Sequence, residues 1–191
     1  MALHGTSASM LKESLDETLE AAKFCSDYKK TDTKWDKFAT GGCLGYPCAI
    51  LLFSLVDTIG SYFRKNSDFK ILIDGKQEII NAAGWEHFKI LNSKYYNQNL
   101  SKQSLKLLYE KSRSCLIHNS VLGSNIFMVP DNTAIQPETH EKAFVPIHAN
   151  SKTIHIISIK EFWELSKSAV EMFKKDIDTV VPKSKQGKNF Q

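Results

Sequence analysis

Arg113 and His118 stand with four residues between them in the run Leu-Tyr-Glu-Lys-Ser-Arg-Ser-Cys-Leu-Ile-His-Asn at 108–119. The chain's basic residues are almost all lysine, and Arg64 and Arg113 are its two arginines. A guanidinium does what an ammonium does not: its planar fork grips phosphate or carboxylate in two places and stays charged. Histidine, with an ordinary pKa of about 6.5, serves as acid or base near neutral pH. A third candidate is Asp57, a carboxylate on an otherwise apolar run, where an acid needs a partner. Arg113 is one such partner, and the backbone or Thr58 is another. Arg113 and His118 also have a plain structural account, because cations near a helix C-terminus meet its dipole and cap its last carbonyls.

Other residues carry weaker chemistry. Ser114 is four residues from His118 and shares its helix face, so it is a supporting candidate. Lys102, Lys106 and Lys111 lead toward Arg113 and can guide RNA phosphates or simply form a solvated face. Cys115 with His118 can mimic a thiol–histidine pair, but a core cysteine is the simpler reading. Tyr95 and Tyr96 can stack bases or pack in the core. His87, His140, His148 and His155 are scattered, and no His/Cys/carboxylate set has metal-ligand spacing. No metal and no cofactor is expected.

These residues need elements to hold them. Residues 10–24 read as an amphipathic helix, with Leu11, Leu15, Leu19 and Ala22 on one face. A polar stretch at 26–45, holding Trp35 and Phe38, reads as a surface loop. Pro47 opens a helix to about Phe63 that is apolar on most sides, with a polar stripe of Ser54, Asp57, Thr58 and Ser61. Residues 69–73 suit a short strand before an Asp74-Gly75 turn. Residues 85–96 look helical. Ser101 caps a further helix to about His118, with Leu105, Leu108, Cys115 and Leu116 as its apolar positions. If that helix is regular, five residues advance about 7.5 Å and rotate roughly 140°, so Arg113 and His118 do not share a face.

After Val121 the character changes. Residues 126–129, 144–148 and 153–157 have strand composition, and the last two suit a hairpin. Residues 130–142 read as a polar loop. Ser158 and Glu161 make a capping-box pattern, and Ile157 with Phe162 a hydrophobic staple, at the start of a helix that Pro182 ends. The expected organisation is one domain over 1–182, with a helical core at about 46–119 and a hairpin-plus-helix appendage at about 121–181. A flexible tail is expected at 183–191.

Composition bounds the rest. The 191 residues are 42% hydrophobic and 24% charged, which suits an ordinary globular domain. A net charge of +4 permits an anionic partner without demanding one. The apolar run 49–56 stops at Asp57, well short of the roughly 20 residues a bilayer span needs. The small polar start has no apolar leader core. A cytoplasmic protein, away from membranes, is expected. Cys25, Cys43, Cys48 and Cys115 then read as reduced thiols, a Cys43–Cys48 disulfide being the less favoured alternative.

An arginine, four to six residues and a histidine near the end of the last bundle helix form the signature of the HEPN superfamily. Residues 46–119 of this chain resemble it. The run ending at Arg113 and the Val-Asp-Thr-Ile-Gly run at 56–60 both look like that family, while the segment after Val121 is not covered. The chain departs from the pattern at Ser114, where many members carry asparagine, aspartate or histidine. It departs again at Ser120, where some carry a tyrosine that a partner nucleotidyltransferase modifies.

The resemblance implies a mainly α fold: an antiparallel HEPN-type helical bundle, here with a small β-hairpin and a C-terminal helix. It implies a homodimer in which two motifs face one cleft. The activity it implies is a metal-independent endoribonuclease, a toxin or defence component, with an antitoxin or regulatory protein as a further partner. RNA cleavage without metal needs a base for the 2′-hydroxyl, an acid for the leaving 5′-oxygen and a cation for the phosphorane charge. His118 as acid/base and Arg113 as phosphate clamp, each supplied twice, fill those roles. The alternative is a non-catalytic HEPN-like module that binds RNA, a nucleotide or a protein partner.

Overall fold

In the computed structural model, which describes residues 6–31, 34, 42–131, 142–149 and 152–188, the apolar run at 49–56 lies at the centre of the molecule. It forms the middle of α2 (Gly45–Tyr62), which buries Cys48, Ala49, Leu52, Phe53, Leu55, Val56, Ile59 and Gly60. A helix apolar round most of its circumference must be covered on several sides. Here α1 (Ser7–Asp27) and α5 (Ile159–Val180) pack on it and on each other, and a 3-10 helix (Gly84–Asn92) crosses it. The molecule is mostly helical, as expected.

α1 begins at a full capping box: the Thr6 side chain accepts from the Ser9 backbone N–H, and Ser9 answers on the Thr6 N–H. Its core face is Leu15, Leu19, Ala22 and Cys25. The expected Asp74-Gly75 turn joins β1 (Ile71–Ile73) to β2 (Lys76–Glu78), an antiparallel hairpin with Ile73 opposite Lys76. Both turn residues have positive φ, 50° and 76°, which this tight connection requires and Asp-Gly supplies. Trp35, Phe38 and most of the 130–142 loop fall outside the described residues.

β3 (Ile126–Val129), β4 (Phe144–Ala149) and β5 (Lys152–Ser158) form one sheet in the order β3-β5-β4. The expected hairpin is the antiparallel β4–β5 pair, with Phe144 opposite Ile157. β3 adds to the other side of β5 in parallel register, Ile126 opposite His155. Phe53, Phe88, Phe144 and Phe162 stack in one aromatic cluster and so tie α2, the 3-10 helix, β4 and α5 together.

Four expectations need correction. α5 is not an appendage: Phe162, Ala169, Phe173 and Ile177 are fully buried in the same core as α1 and α2. The apolar face that sequence periodicity gives α5 needed a partner, and the exposed flank of α1–α2 is that partner. Ser158 is the N-cap of α5, but its hydroxyl binds the Glu161 carboxylate instead of a backbone N–H. The segment at 85–96 is a 3-10 helix ending at Asn92 instead of a longer α-helix. Finally, the expected tail begins in structure: α6 (Lys185–Lys188) follows Ser184, whose hydroxyl accepts from the Gly187 N–H, and both residues are buried.

Candidate functional site

Asp57 sits mid-way along α2 and Gly60 one turn later, on the side crossed by the 3-10 helix. The crossing is close. A Cβ built on Gly60 would lie 2.3 Å from the His87 carbonyl oxygen, so no larger residue fits without moving the backbone. This contact brings the His87 ring to Asp57, where Nδ1–H donates to Oδ1 at 2.6 Å. The other carboxylate oxygen, Oδ2, accepts from Nη2 of Arg113 at 2.7 Å. One carboxylate therefore joins three elements: α2, the 3-10 helix and the helix that carries the arginine.

That third helix is not regular. Ser101 caps it, accepting from the Ser104 N–H at 3.1 Å, and α3 runs over Lys102–Leu107. From Leu108 to Ser114 the rod widens into a π-helix, and α4 (Cys115–Asn119) completes it. A π turn bonds i to i+5 and so holds one more residue than an α turn. The facing of the rod's side chains shifts with it: Ser112 and Leu116 are buried, while Cys115, expected in the core, is half-exposed with its thiol donating to the Glu110 carbonyl. The rod stops at Ser120, which adopts a left-handed φ of 55° and closes on Leu116 O.

The surroundings of the cluster are aromatic and partly enclosed. The Arg113 guanidinium lies 5.6 Å from the Tyr109 ring centroid, close enough for cation–π attraction. Tyr109 in turn meets Phe88 edge-on, with ring centroids 5.4 Å apart. The Arg113 side chain keeps 23% of its surface exposed, whereas that of His87 keeps 8%. Nε2 of His87 and Nε of Arg113 are both enclosed and have no hydrogen-bond partner among the described residues. Because a carboxylate only accepts, Nδ1 is the donor, and Nε2 stands without a partner.

Of the residues singled out by sequence, the structure brings Asp57 and Arg113 together. Asp57 thus takes the arginine and not Thr58. His118 lies in the last turn of α4, exposed, with no hydrogen bond or ion pair to the cluster. Ser114 is half-buried and likewise outside it. Lys102 is engaged by Glu78 at 2.8 Å, and Lys106 pairs with Glu110 at 3.7 Å. Lys111 is exposed, but its stem packs against Gly123. Neither tyrosine is placed to stack a base: Tyr96 is fully buried and Tyr95 donates to Asp176 at 2.7 Å.

His87 is the residue sequence reading missed, having been set among scattered histidines. The one signal for it was Gly60, a small residue a turn beyond the buried carboxylate. His140 lies outside the described residues. All four cysteines are free thiols, so the Cys43–Cys48 bridge is not formed. Burial pushes the Cys48 thiol up to about 12, and Cys25 and Cys43 are raised for the same reason. Among the described residues, no group of three or more His, Cys, Asp or Glu side chains is arranged to hold a metal ion. No described helix is long and apolar enough to cross a membrane. Comparison of the chain with protein-family models, curated proteins and solved structures found no match.

Proposed function

We propose that this chain is a metal-independent endoribonuclease of HEPN type, acting as a homodimer, with Arg113 as phosphate clamp and His118 as acid/base. The observation that carries this reading is the Asp57–Arg113 pair at 2.7 Å. A carboxylate of the central helix holds the guanidinium, and the Arg113 side chain keeps 23% of its surface exposed. An arginine so fixed meets a phosphate without first losing side-chain freedom, which is how a charge clamp contributes to a transition state.

His118 makes no hydrogen bond or ion pair to Arg113 within one copy, and the reading takes a second copy to complete the site. Exposed apolar side chains beside His118 support an interface there. Ile117 and Val121 are 40% and 53% exposed, and Val121 shares a cleft of about 440 Å³ with Tyr46 and Phe127. Two copies paired through this end of the rod would supply two histidines and two arginines, enough for base, acid and clamp.

The test is incubation of purified protein with end-labelled RNA in the presence of EDTA. Cleavage that persists with chelator, leaves 2′,3′-cyclic phosphate ends and is lost in His118→Ala supports the mechanism. Activity that vanishes with EDTA and returns with magnesium removes it. A strictly monomeric mass by light scattering at high micromolar concentration removes the dimeric site. A second reading, a non-catalytic module binding RNA, a nucleotide or a protein partner, is favoured by the engagement of Lys102 and Lys106 with carboxylates. That engagement leaves less free charge for a long RNA track. Binding of RNA without cleavage would select it.

A further inference from the structure

We propose that His87 is a positioning residue: it fixes the plane of the Asp57 carboxylate and through it the Arg113 guanidinium. The proposal rests on Arg113 being the phosphate-gripping group. A carboxylate turns easily about its terminal torsion, which has broad wells, so a single bond to Arg113 would leave the pair loose. In this structure each oxygen has its own fixed partner: Oδ1 takes His87 Nδ1–H at 2.6 Å and Oδ2 takes Arg113 Nη2 at 2.7 Å. Two anchors from different elements define the carboxylate plane, and the plane defines the approach of the guanidinium fork.

His87 is suited to that role and to no direct one. Its Nε2 is fully enclosed, so no substrate reaches the ring. Its own backbone is pinned where the carbonyl meets Gly60. The unpartnered Nε2 argues the same way. Burying a polar ring with one nitrogen unsatisfied costs stability, and an apolar residue would cost less if this position served packing alone.

The arrangement is testable without RNA, because the chain has two arginines. NMR of the guanidinium groups therefore gives two signals, with Arg64 as internal reference. In the wild-type protein the Arg113 Nη groups are expected to exchange slowly by rotation about the Cζ–Nε bond, and those of Arg64 quickly. His87→Asn places an amide donor at the Nδ1 position and should preserve the slow exchange. His87→Gln places its amide nitrogen near Nε2 instead, and should let Arg113 rotate at a rate close to that of Arg64. The two variants are alike in polarity, and their thermal unfolding by circular dichroism confirms that both are folded. Should either fail to fold, His87→Leu replaces His87→Gln and His87→Ser with added imidazole replaces His87→Asn. Equal Arg113 rotation in the donor-keeping and donor-losing proteins overturns the proposal. In the RNA assay, His87→Gln is expected to lower kcat/KM by about 10²-fold and His87→Asn to restore most of it. Failure of the wild-type protein to cleave RNA would end the ribonuclease reading, while the NMR result would still decide whether His87 positions Arg113.

Discussion

His87 and Lys89 lie two residues apart on one 3-10 helix and serve two buried charge clusters that differ in one respect. Lys89 is 1% exposed, and its ammonium donates to Ile79 O at 2.9 Å and pairs with Glu78 at 2.9 Å and Glu86 at 3.4 Å. The Trp85 ring covers it at 5.3 Å. Arg113, with five N–H donors, makes one side-chain hydrogen bond among the described residues and leaves Nε enclosed and unpaired. A cation placed for stability alone is satisfied in full, since an unpaired buried donor costs about 1–3 kcal/mol.

Substitution of the two cations separates them most sharply. Lys89→Met removes one partner from two carboxylates in a buried cluster and is expected to cost about 3–5 kcal/mol. Arg113→Ala leaves Asp57 still bonded to His87 and partly wet, and should cost about 1–2 kcal/mol, with cleavage falling by about 10²-fold or more. Urea denaturation followed by fluorescence, alongside the RNA assay, measures both. Equal stability losses would erase the distinction between the clusters.

Gly60→Ala probes the joint between them. Its methyl would press on the His87 carbonyl, so the 3-10 helix must shift as a whole. The expected destabilisation is about 1–3 kcal/mol, and Arg113 exchange should rise toward that of Arg64. An alanine variant with wild-type unfolding midpoint would show that the close crossing is not required.

The smallest effect is the acid limb of stability. Glu78 is held below the usual carboxylate range by its hydrogen bonds to Lys102 and Lys89. Burial pushes Glu86 up, but the Asn81 and Ala82 amides and Lys89 more than offset this and leave it lowered. Asp176 is lowered by Lys94 and Tyr95. A carboxylate depressed in the folded state stabilises the protein above its unfolded value. That stability is lost as pH falls through the depressed one. The unfolding midpoint should therefore be flat from pH 7 to about 5 and fall below about 4.5. In Lys89→Met the fall should be shallower, because two of the three groups lose a partner.

What could be read from the residues follows from range. Local rules placed α1, α2, the Asp74-Gly75 turn with the strand before it, β3 to β5 and the start of α5, because caps, turns and periodicity act within a few residues. The same rules found Asp57 and named Arg113 as one of its partners, beside the backbone or Thr58, since a carboxylate on an apolar helix needs a partner. They did not find His87, whose partner is thirty residues away and whose approach depends on a backbone contact at Gly60. Nor did they find the π-helix, because Leu108 to Ser114 carries no residue type that an α-helix refuses. α5 read as an appendage because its apolar face was visible and the surface it covers was not.

The widened turn before Arg113 has a consequence for chain length. A π segment accommodates one residue beyond what an α-helix needs to span the same distance. This rod is therefore one residue long for its site. Shortening it by one at Glu110, which is exposed, is expected to let the rod relax to plain α-helix while its two ends, Leu105 and Leu116, keep their seats in the core. Deletions inside a helix ordinarily rotate everything downstream by about 100°. At this one place the fold holds a spare residue, and the length of the chain is free to change where that of α2 is not.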